Sequence, residues 1–308
     1  MDLTEDFTPT YGVAETLEPQ LRRIVAPNPS PMTNAGTNTY LLGERGIAVI
    51  DPGPEDRGHL EAILEALTPG QFVSHIFVTH AHLDHSPLSR ALSAFTEAPV
   101  YAFGPADAGR STAMKRLVEI GFEGGGEGVD TSFVPDRRLS DGDVIAGDGW
   151  TLRVIHTPGH MGNHICLGWG DCCFTADHVM GWASSLVSPP DGDLTDFMAS
   201  CTMLKARNWR RFFPGHGQPI DTPNDRIDWL IAHRKARETA ILDILDVAPA
   251  TVAELARKIY TDTPELLLPA AERNVLAHLI DLSGRTRVRP VGRMAADASF
   301  ETIPTGAE

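Results

Sequence analysis

The stretch Thr79-His80-Ala81-His82-Leu83-Asp84-His85 places three imidazoles and a carboxylate within six consecutive positions, directly after the apolar run of residues 73–78. Imidazole nitrogen and carboxylate oxygen are the ligands that borderline divalent metals such as zinc take. Alternate side chains on an extended chain point the same way. His80 and His82 can therefore reach one ion, while Asp84 and His85, past the bend, can reach a second. Three downstream motifs complement this cluster: His160 in His156-Thr157-Pro158-Gly159-His160, Asp177 in Thr175-Ala176-Asp177, and His216 in Pro214-Gly215-His216-Gly217. Each follows a strand-like run or sits in turn chemistry. A lone histidine of this kind is more often a core residue than a ligand. Four motifs in one order are a far more specific signal.

The segments around the cluster alternate. Residues 21–26, 37–42, 47–51, 73–78, 100–103, 151–156, 164–168, 172–176 and 211–213 read as strands, and Gly43-Glu44-Arg45-Gly46 makes the second and third of these a hairpin. Helical spacing of Leu60, Ile63, Leu64 and Leu67 marks residues 59–67. Ser86 and Pro87 read as the N-cap and first position of a helix reaching about residue 95. Further helices are expected over 111–120 and 194–208, and Gly124-Gly125-Gly126-Glu127-Gly128 reads as a mobile loop. Strands and helices mixed with hairpins suggest sheets covered by helices.

From Asn224 the texture changes. Ile227, Leu230, Ile231, Ile241, Leu242 and Leu245 recur at helical spacing, and Thr251-Val252-Ala253-Glu254 is a capping-box pattern. A third helix is expected over 269–283, a small hairpin over 285–291, and a poorly ordered tail after about residue 295.

The four motifs resemble those of the metallo-beta-lactamase superfamily, and helix, helix, helix, wing resembles the winged-helix domain of its beta-lactamase-like branch, whose known members include endoribonucleases. The Pro-Gly-His-Gly loop followed by a helix carrying His233-Arg234 and Arg237-Glu238 fits that branch. The resemblance implies an α/β fold: an αββα sandwich over residues 1–223, a helical linker and winged-helix-like domain over 224–295, and a disordered tail over 296–308. It also implies a dinuclear site. His80, His82 and His160 would hold the first metal, Asp84, His85 and His216 the second, and Asp177 both. Zinc is the first expectation, with iron or manganese suited to the same ligands. Two departures stand out: Pro87-Leu88 where many members carry two glycines, and Ala176 where glycine often precedes the bridging Asp.

Two such ions, about 3.5–4 Å apart, can share a hydroxide and clamp a displacement without a serine or cysteine nucleophile. Asp84 can orient that hydroxide or accept its proton. Metal-bound imidazoles usually donate their other N–H to a carboxylate or carbonyl, which makes Asp51 a candidate partner as well as a turn residue. His164 and His178 are candidates for substrate contact or for core, and Trp182 and Phe197 for pocket wall or core.

The chain has 308 residues, enough for a large and a small domain. No apolar run approaches a membrane span, and the start Met1-Asp2-Leu3-Thr4-Glu5-Asp6 lacks a basic, then apolar, leader, so the cytoplasm is the expected address. Cys166, Cys172, Cys173 and Cys201 show no metal-knuckle spacing and read as free, buried thiols. A net charge of −15 weighs against a polyanionic partner. Arg285, Arg287, Arg289 and Arg293 cluster near the wing, yet residues 228–308 carry 10 Lys and Arg against 12 Asp and Glu. Three functions compete: hydrolysis of a small ester, thioester, lactone or amide; metal-dependent endoribonuclease action; and a winged helix that serves only packing or homodimerisation. The first is the leading expectation, with loops at 124–128 and 181–196 setting the size and shape of the substrate.

Overall fold

Apolar residues alternate along the strands, and the alternation sorts them between two interfaces. In the computed structural model, which describes residues 7–122 and 124–304, β1 (Glu15–Glu18), β2 (Leu21–Val25), β3 (Asn38–Leu42), β4 (Gly46–Ile50), β5 (Phe72–Phe77), β6 (Val100–Ala102) and β7 (Arg137–Arg138) form one sheet in that order. The first four are antiparallel, and β5 to β7 run parallel to β4. The second sheet takes β8 (Val144–Ala146), β9 (Thr151–His156), β10 (Ile165–Trp169), β11 (Cys172–Ala176) and β12 (Arg211–Pro214), antiparallel except for the β11–β12 pair.

Tyr40, Leu42, Ile50 and Phe77 face inward onto Leu152, Val154, Ile165, Leu167, Phe174 and Phe213 of the second sheet. Their neighbours Leu41, Val49 and Ile76 face outward onto α1 (Arg57–Glu65) and α2 (Leu88–Thr96). On the far side Ile155, Cys166, Cys173 and Phe212 meet α4 (Leu194–Lys205) and the first half of α5 (Pro223–Leu245), while α3 (Thr112–Glu119) lies between the sheets' connections and the C-terminal unit. Each buried Leu, Ile or Phe contributes about 1.5–3 kcal/mol. A one-residue slip of any strand would exchange its inward and outward sets. The result is the expected αββα layering.

The C-terminal unit has the expected winged-helix architecture: the second half of α5, β13 (Ala250–Thr251), α6 (Val252–Ile259), α7 (Leu268–Gly284), β14 (Val288–Pro290) and β15 (Ser299–Thr302). The capping box forms as read, with Thr251 and Glu254 bonding each other's backbone. Leu245, Leu255, Val275, Leu279, Val288 and Phe300 make its core, and Met114, Leu117 and Phe122 join that core from α3.

Three readings need correction. The tail is not disordered after residue 295: Ser299–Thr302 is the central strand of a three-stranded sheet ordered β13-β15-β14, and Phe300 is fully buried. The wing hairpin therefore spans 288–302 rather than 285–291. Ser86 does not cap α2, because its hydroxyl bonds Asp130 Oδ2 at 2.8 Å and the His82 carbonyl at 3.0 Å. The glycine segment is a loop, as read; within it Gly126 N–H donates to Asp191 at 2.6 Å, and the Gly128 carbonyl accepts from Leu83 N–H at 2.7 Å. Residues 1–6 and 305–308, on which the leader and part of the tail were read, lie outside the described residues.

Candidate metal centre

The site sits where strands of both sheets end. β4 and β5 run parallel, so their C-terminal ends lie side by side, and Asp51 and Thr79 leave from adjacent positions. The second sheet contributes His160 after β9, Asp177 after β11 and His216 after β12. The two sheets are stitched here: Asn38 N–H donates to the Gly215 carbonyl at 2.7 Å, and the Asn38 amide to Pro214 O at 2.9 Å.

All seven expected ligands converge, in two groups that share one residue: His80, His82, His160 and Asp177; and Asp84, His85, Asp177 and His216. In the first, His82 Nδ1 lies 3.0 Å from both His80 Nε2 and His160 Nε2. Asp177 Oδ2 lies 3.9 Å from His80 Nε2 and 3.7 Å from His160 Nε2. In the second, Asp177 Oδ1 is 3.4 Å from both His85 Nε2 and His216 Nε2, and Asp84 Oδ2 is 3.3 and 3.2 Å from the same atoms. A tetrahedron with the usual Zn–N and Zn–O bonds has edges of about 3.3 Å. The two carboxylate oxygens of Asp177 face different groups.

The fit to a cation rests on orphaned atoms. His85 Nε2, His216 Nε2 and Asp177 Oδ1 are buried with no hydrogen-bond partner among the described residues, and all three point into the second group. Burying such atoms unpaired costs about 1–3 kcal/mol each, which a shared divalent ion would offset. For His80, His85, His160 and His216 the opposite ring nitrogen is held. His80 Nδ1 meets Thr79 Oγ1 at 3.0 Å, and His85 Nδ1 meets Asp51 Oδ2 at 3.0 Å. His160 Nδ1 meets Leu186 O at 2.7 Å, and His216 Nδ1 meets Gly36 O at 3.1 Å. A held Nδ1 aims Nε2 at the centre.

Charge divides the cluster. Burial pushes His80 well below its ordinary range and His82 down to about 3. Burial acts on His216 in the same direction, but Asp177 and Asp84 outweigh it and raise it to about 10; His85 rises for the same reason, with Asp51 adding to the effect. Burial would raise Asp84 and Asp177, yet His85 and His216 hold both well below the usual carboxylate range. Seating a cation on the second group therefore displaces protons.

Asp51 is buried beneath the site. It accepts from Thr79 N–H at 2.8 Å and from the Thr79 hydroxyl at 2.7 Å in addition to His85. Both of its candidate roles, turn and ligand support, thus fall on one side chain. His164 and His178 are fully buried behind the cluster: His164 Nδ1 bonds Thr157 Oγ1 at 2.8 Å, and His178 lies against Cys201 and Phe197. The core reading fits both, and Phe197 is likewise core, packed on Gly159. Ala176 takes φ +43°, the left-handed region that explains why glycine suits this position elsewhere. Sequence reasoning missed Thr79, although it lies in the opening motif. It also missed Thr37, whose hydroxyl reaches Asp84 Oδ2 at 3.3 Å, and the backbone carbonyls of Gly36 and Leu186, which carry no side-chain signal. The four cysteines are free and buried, as read.

A model of the metallo-beta-lactamase superfamily matches residues 32–216, and one of the beta-lactamase associated winged helix domain matches residues 251–296. The chain is 31% identical to the Beta-lactamase-like protein 2 homolog of Drosophila melanogaster over 298 residues, 92% of this chain and 94% of that protein. It is 29% identical to the Atrochrysone carboxyl ACP thioesterase dmxR1 of Cryptosporiopsis sp. (strain 8999), covering 80% of this chain and 69% of that one. Among solved structures, a Beta-lactamase domain protein from Burkholderia ambifaria superposes with a TM-score of 0.79 at 22% identity, covering 97% of this chain and 96% of that chain.

Proposed function

The chain belongs to the metallo-beta-lactamase superfamily, and from that premise we propose that it is a dinuclear metal-dependent hydrolase of small esters and thioesters. The observation that carries the reading is the pair of four-residue groups joined through Asp177, with three buried orphan atoms aimed into the second of them. His80, His82 and His160 would hold one ion, Asp84, His85 and His216 the other, and Asp177 would serve both. Zinc suits this thiolate-free, histidine-rich set, and iron or manganese suits the same ligands.

Two divalent ions, when bound, make hydroxide available near neutral pH and polarise a substrate carbonyl. The chain's own part is orientation and proton handling. Thr79, Asp51, Leu186 and Gly36 fix the imidazoles. Asp84, whose side chain is 24% exposed, accepts the proton released on attack and passes it to the departing group.

A relative named as a thioesterase supports an acyl substrate. Electrostatics favours a small one over RNA. The chain carries −15, and two of the four wing arginines are already paired, Arg285 with Glu238 and Asp281 and Arg289 with Glu301. Among the described residues no helix is long and apolar enough to cross a membrane, and the four buried thiols support a reducing, cytoplasmic setting. Helix α5 packs Ile227 and Leu230 on the sandwich and Ile241 and Leu245 on the C-terminal core, which supports a domain boundary within α5 and not at its start near residue 223.

The test is a parallel screen of acyl esters, acyl thioesters and single-stranded RNA with metal-replete protein. Acyl hydrolysis lost on His82→Ala is expected. Metal-dependent RNA cleavage without acyl hydrolysis would replace this reading with the ribonuclease one.

A further inference from the structure

Directly over the first ligand group the free space is small, about 10 Å³, and is bounded by His82, His160, Glu127 and Leu186 among others. Such a space holds a reacting group and little more. Glu127 and Leu186 also bound a second space, a groove of about 390 Å³ on their far side, which is in the size range of small-molecule sites. The groove therefore shares a wall, Glu127 and Leu186, with the space over the ligand group. Its remaining walls come from two parts of the chain. Met32 comes from the loop before β3, and Leu266, Leu267, Pro269 and Ala270 come from the start of α7 and the turn before it. The lining is overwhelmingly apolar, and its outer rim is wet: Leu266 is 77% exposed and Met32 44%. The Arg273–Glu127 ion pair, at 2.5 Å, ties the two walls together at the inner end.

We propose that this groove seats the apolar acyl chain of the substrate, so that the C-terminal unit selects the substrate by its acyl length. The inference rests on the hydrolase reading and names its substrate class: esters and thioesters of unbranched, medium-length hydrocarbon acids. The opposite direction from the centre suits the leaving group better. There Asp191 and Val129 lead from the small space to another cavity, of about 520 Å³, walled by Asp107, Arg110 and Thr131 among others. Those side chains can meet the amides and hydroxyls of a thiol or alcohol carrier; Val118, Phe122 and Pro190 share the lining, so this cavity is mixed where the groove is almost wholly apolar. The acyl carbonyl would lie at the ligand cluster, the tail past Leu186, and the carrier past Asp191.

The experiment is a chain-length series, acetyl to dodecanoyl, of p-nitrophenyl esters and of matched thioesters, run on metal-replete full-length protein. Each buried CH₂ contributes enough to raise kcat/KM about fourfold. We expect a log-linear rise with length until the groove is full, then a plateau. Leu266→Asp puts a charge on an exposed rim position, and Ala270→Trp fills the groove; both should lower the ratio of decanoyl to acetyl turnover by about tenfold or more. Circular dichroism and metal content confirm that the variants are folded and loaded, and two variants at different depths guard against one misfolding. Acyl hydrolysis that is independent of chain length, or variants that leave the slope unchanged, would overturn the groove's role while the hydrolase reading stands. No hydrolysis of any chain length would sink both.

Discussion

Gly215 lies so close to the ligands that only a hydrogen fits there. A Cβ at this position would stand 2.3 Å from Asp177 Oδ1 and 2.9 Å from His85 Cε1, so the glycine of Pro214-Gly215-His216-Gly217 is part of the site without being a ligand. Gly215→Ala should push Asp177 aside and lower kcat/KM by about 100-fold, in line with second-sphere losses at metal sites, while the far-ultraviolet spectrum stays native. Steady-state kinetics beside circular dichroism checks this. Asp51 offers a second prediction. As a carboxylate it accepts from Thr79 twice and from His85 once; Asp51→Asn removes the charge that orients both imidazole supports. Chelator competition should show metal affinity down about 10–100-fold, and unchanged affinity would mean that Asp51 serves the turn alone. The seven candidate ligands were legible because coordination chemistry dictates residue type and order, and the fold brings them together. Gly215, Thr79 and the carbonyl of Leu186 were not, since exclusion of a Cβ, a hydroxyl relay and a backbone oxygen leave no pattern in a single sequence.

Helix α4 shows a similar economy among the elements. Its N-cap Asp193 accepts from Thr195 N–H, and one turn of its wall, Phe197, closes on Gly159 beside His160. Asp196 in that first turn is half-buried, and burial followed by the nearby Asp193 charge raises it to about 6. The sign follows directly. A carboxyl whose folded pKa exceeds its ordinary 3.8 favours the folded state fully below that value and loses the contribution as pH rises through about 6. Asp196→Asn should therefore stabilise the protein at pH 7–8 by on the order of 1 kcal/mol after solvent screening, and by almost nothing near pH 4. Thermal melts across that range check both arms; a gain that does not depend on pH would contradict the assignment. Most elements were readable because buried parallel and central strands are runs of apolar residues. β15 was not. Ser299-Phe300-Glu301-Thr302 has one apolar residue, and its strand identity comes from pairing with β13 and β14, the former about fifty residues earlier. The Ser86 cap was misread because a tertiary acceptor, Asp130, outcompetes the local backbone.

Across the whole molecule, the C-terminal unit is wired to the metal ligands through one short strap. Asn274 on α7 accepts from Val187 N–H at 3.1 Å and from Arg234 at 2.9 Å, and Arg234 also donates to the Ser185 carbonyl. Between them lies Leu186, whose carbonyl holds His160. Arg234 is fully buried, so losing an acceptor is costly. Asn274→Ala should reduce stability by about 1–3 kcal/mol and loosen the His160 side of the site, read as faster metal loss to a chelator. A variant that is destabilised but keeps wild-type metal release would confine Asn274 to packing. The general architecture of sandwich and winged helix was what the family resemblance implied, and motif order and helical texture carried that resemblance. The joint between them did not, because Val187, Arg234 and Asn274 are brought together by the fold and not by any spacing along the chain.

The central claim is that two divalent ions share Asp177. Elemental analysis of the full chain, equilibrated with excess zinc and then desalted, tests it most directly when wild type and Asp177→Ala are measured together. A bridging carboxylate offsets the repulsion between two cations a few ångströms apart. The account predicts two ions per chain in the wild type and one or fewer in the variant. A wild-type protein that holds no more than one ion, or a variant that still holds two, would contradict it.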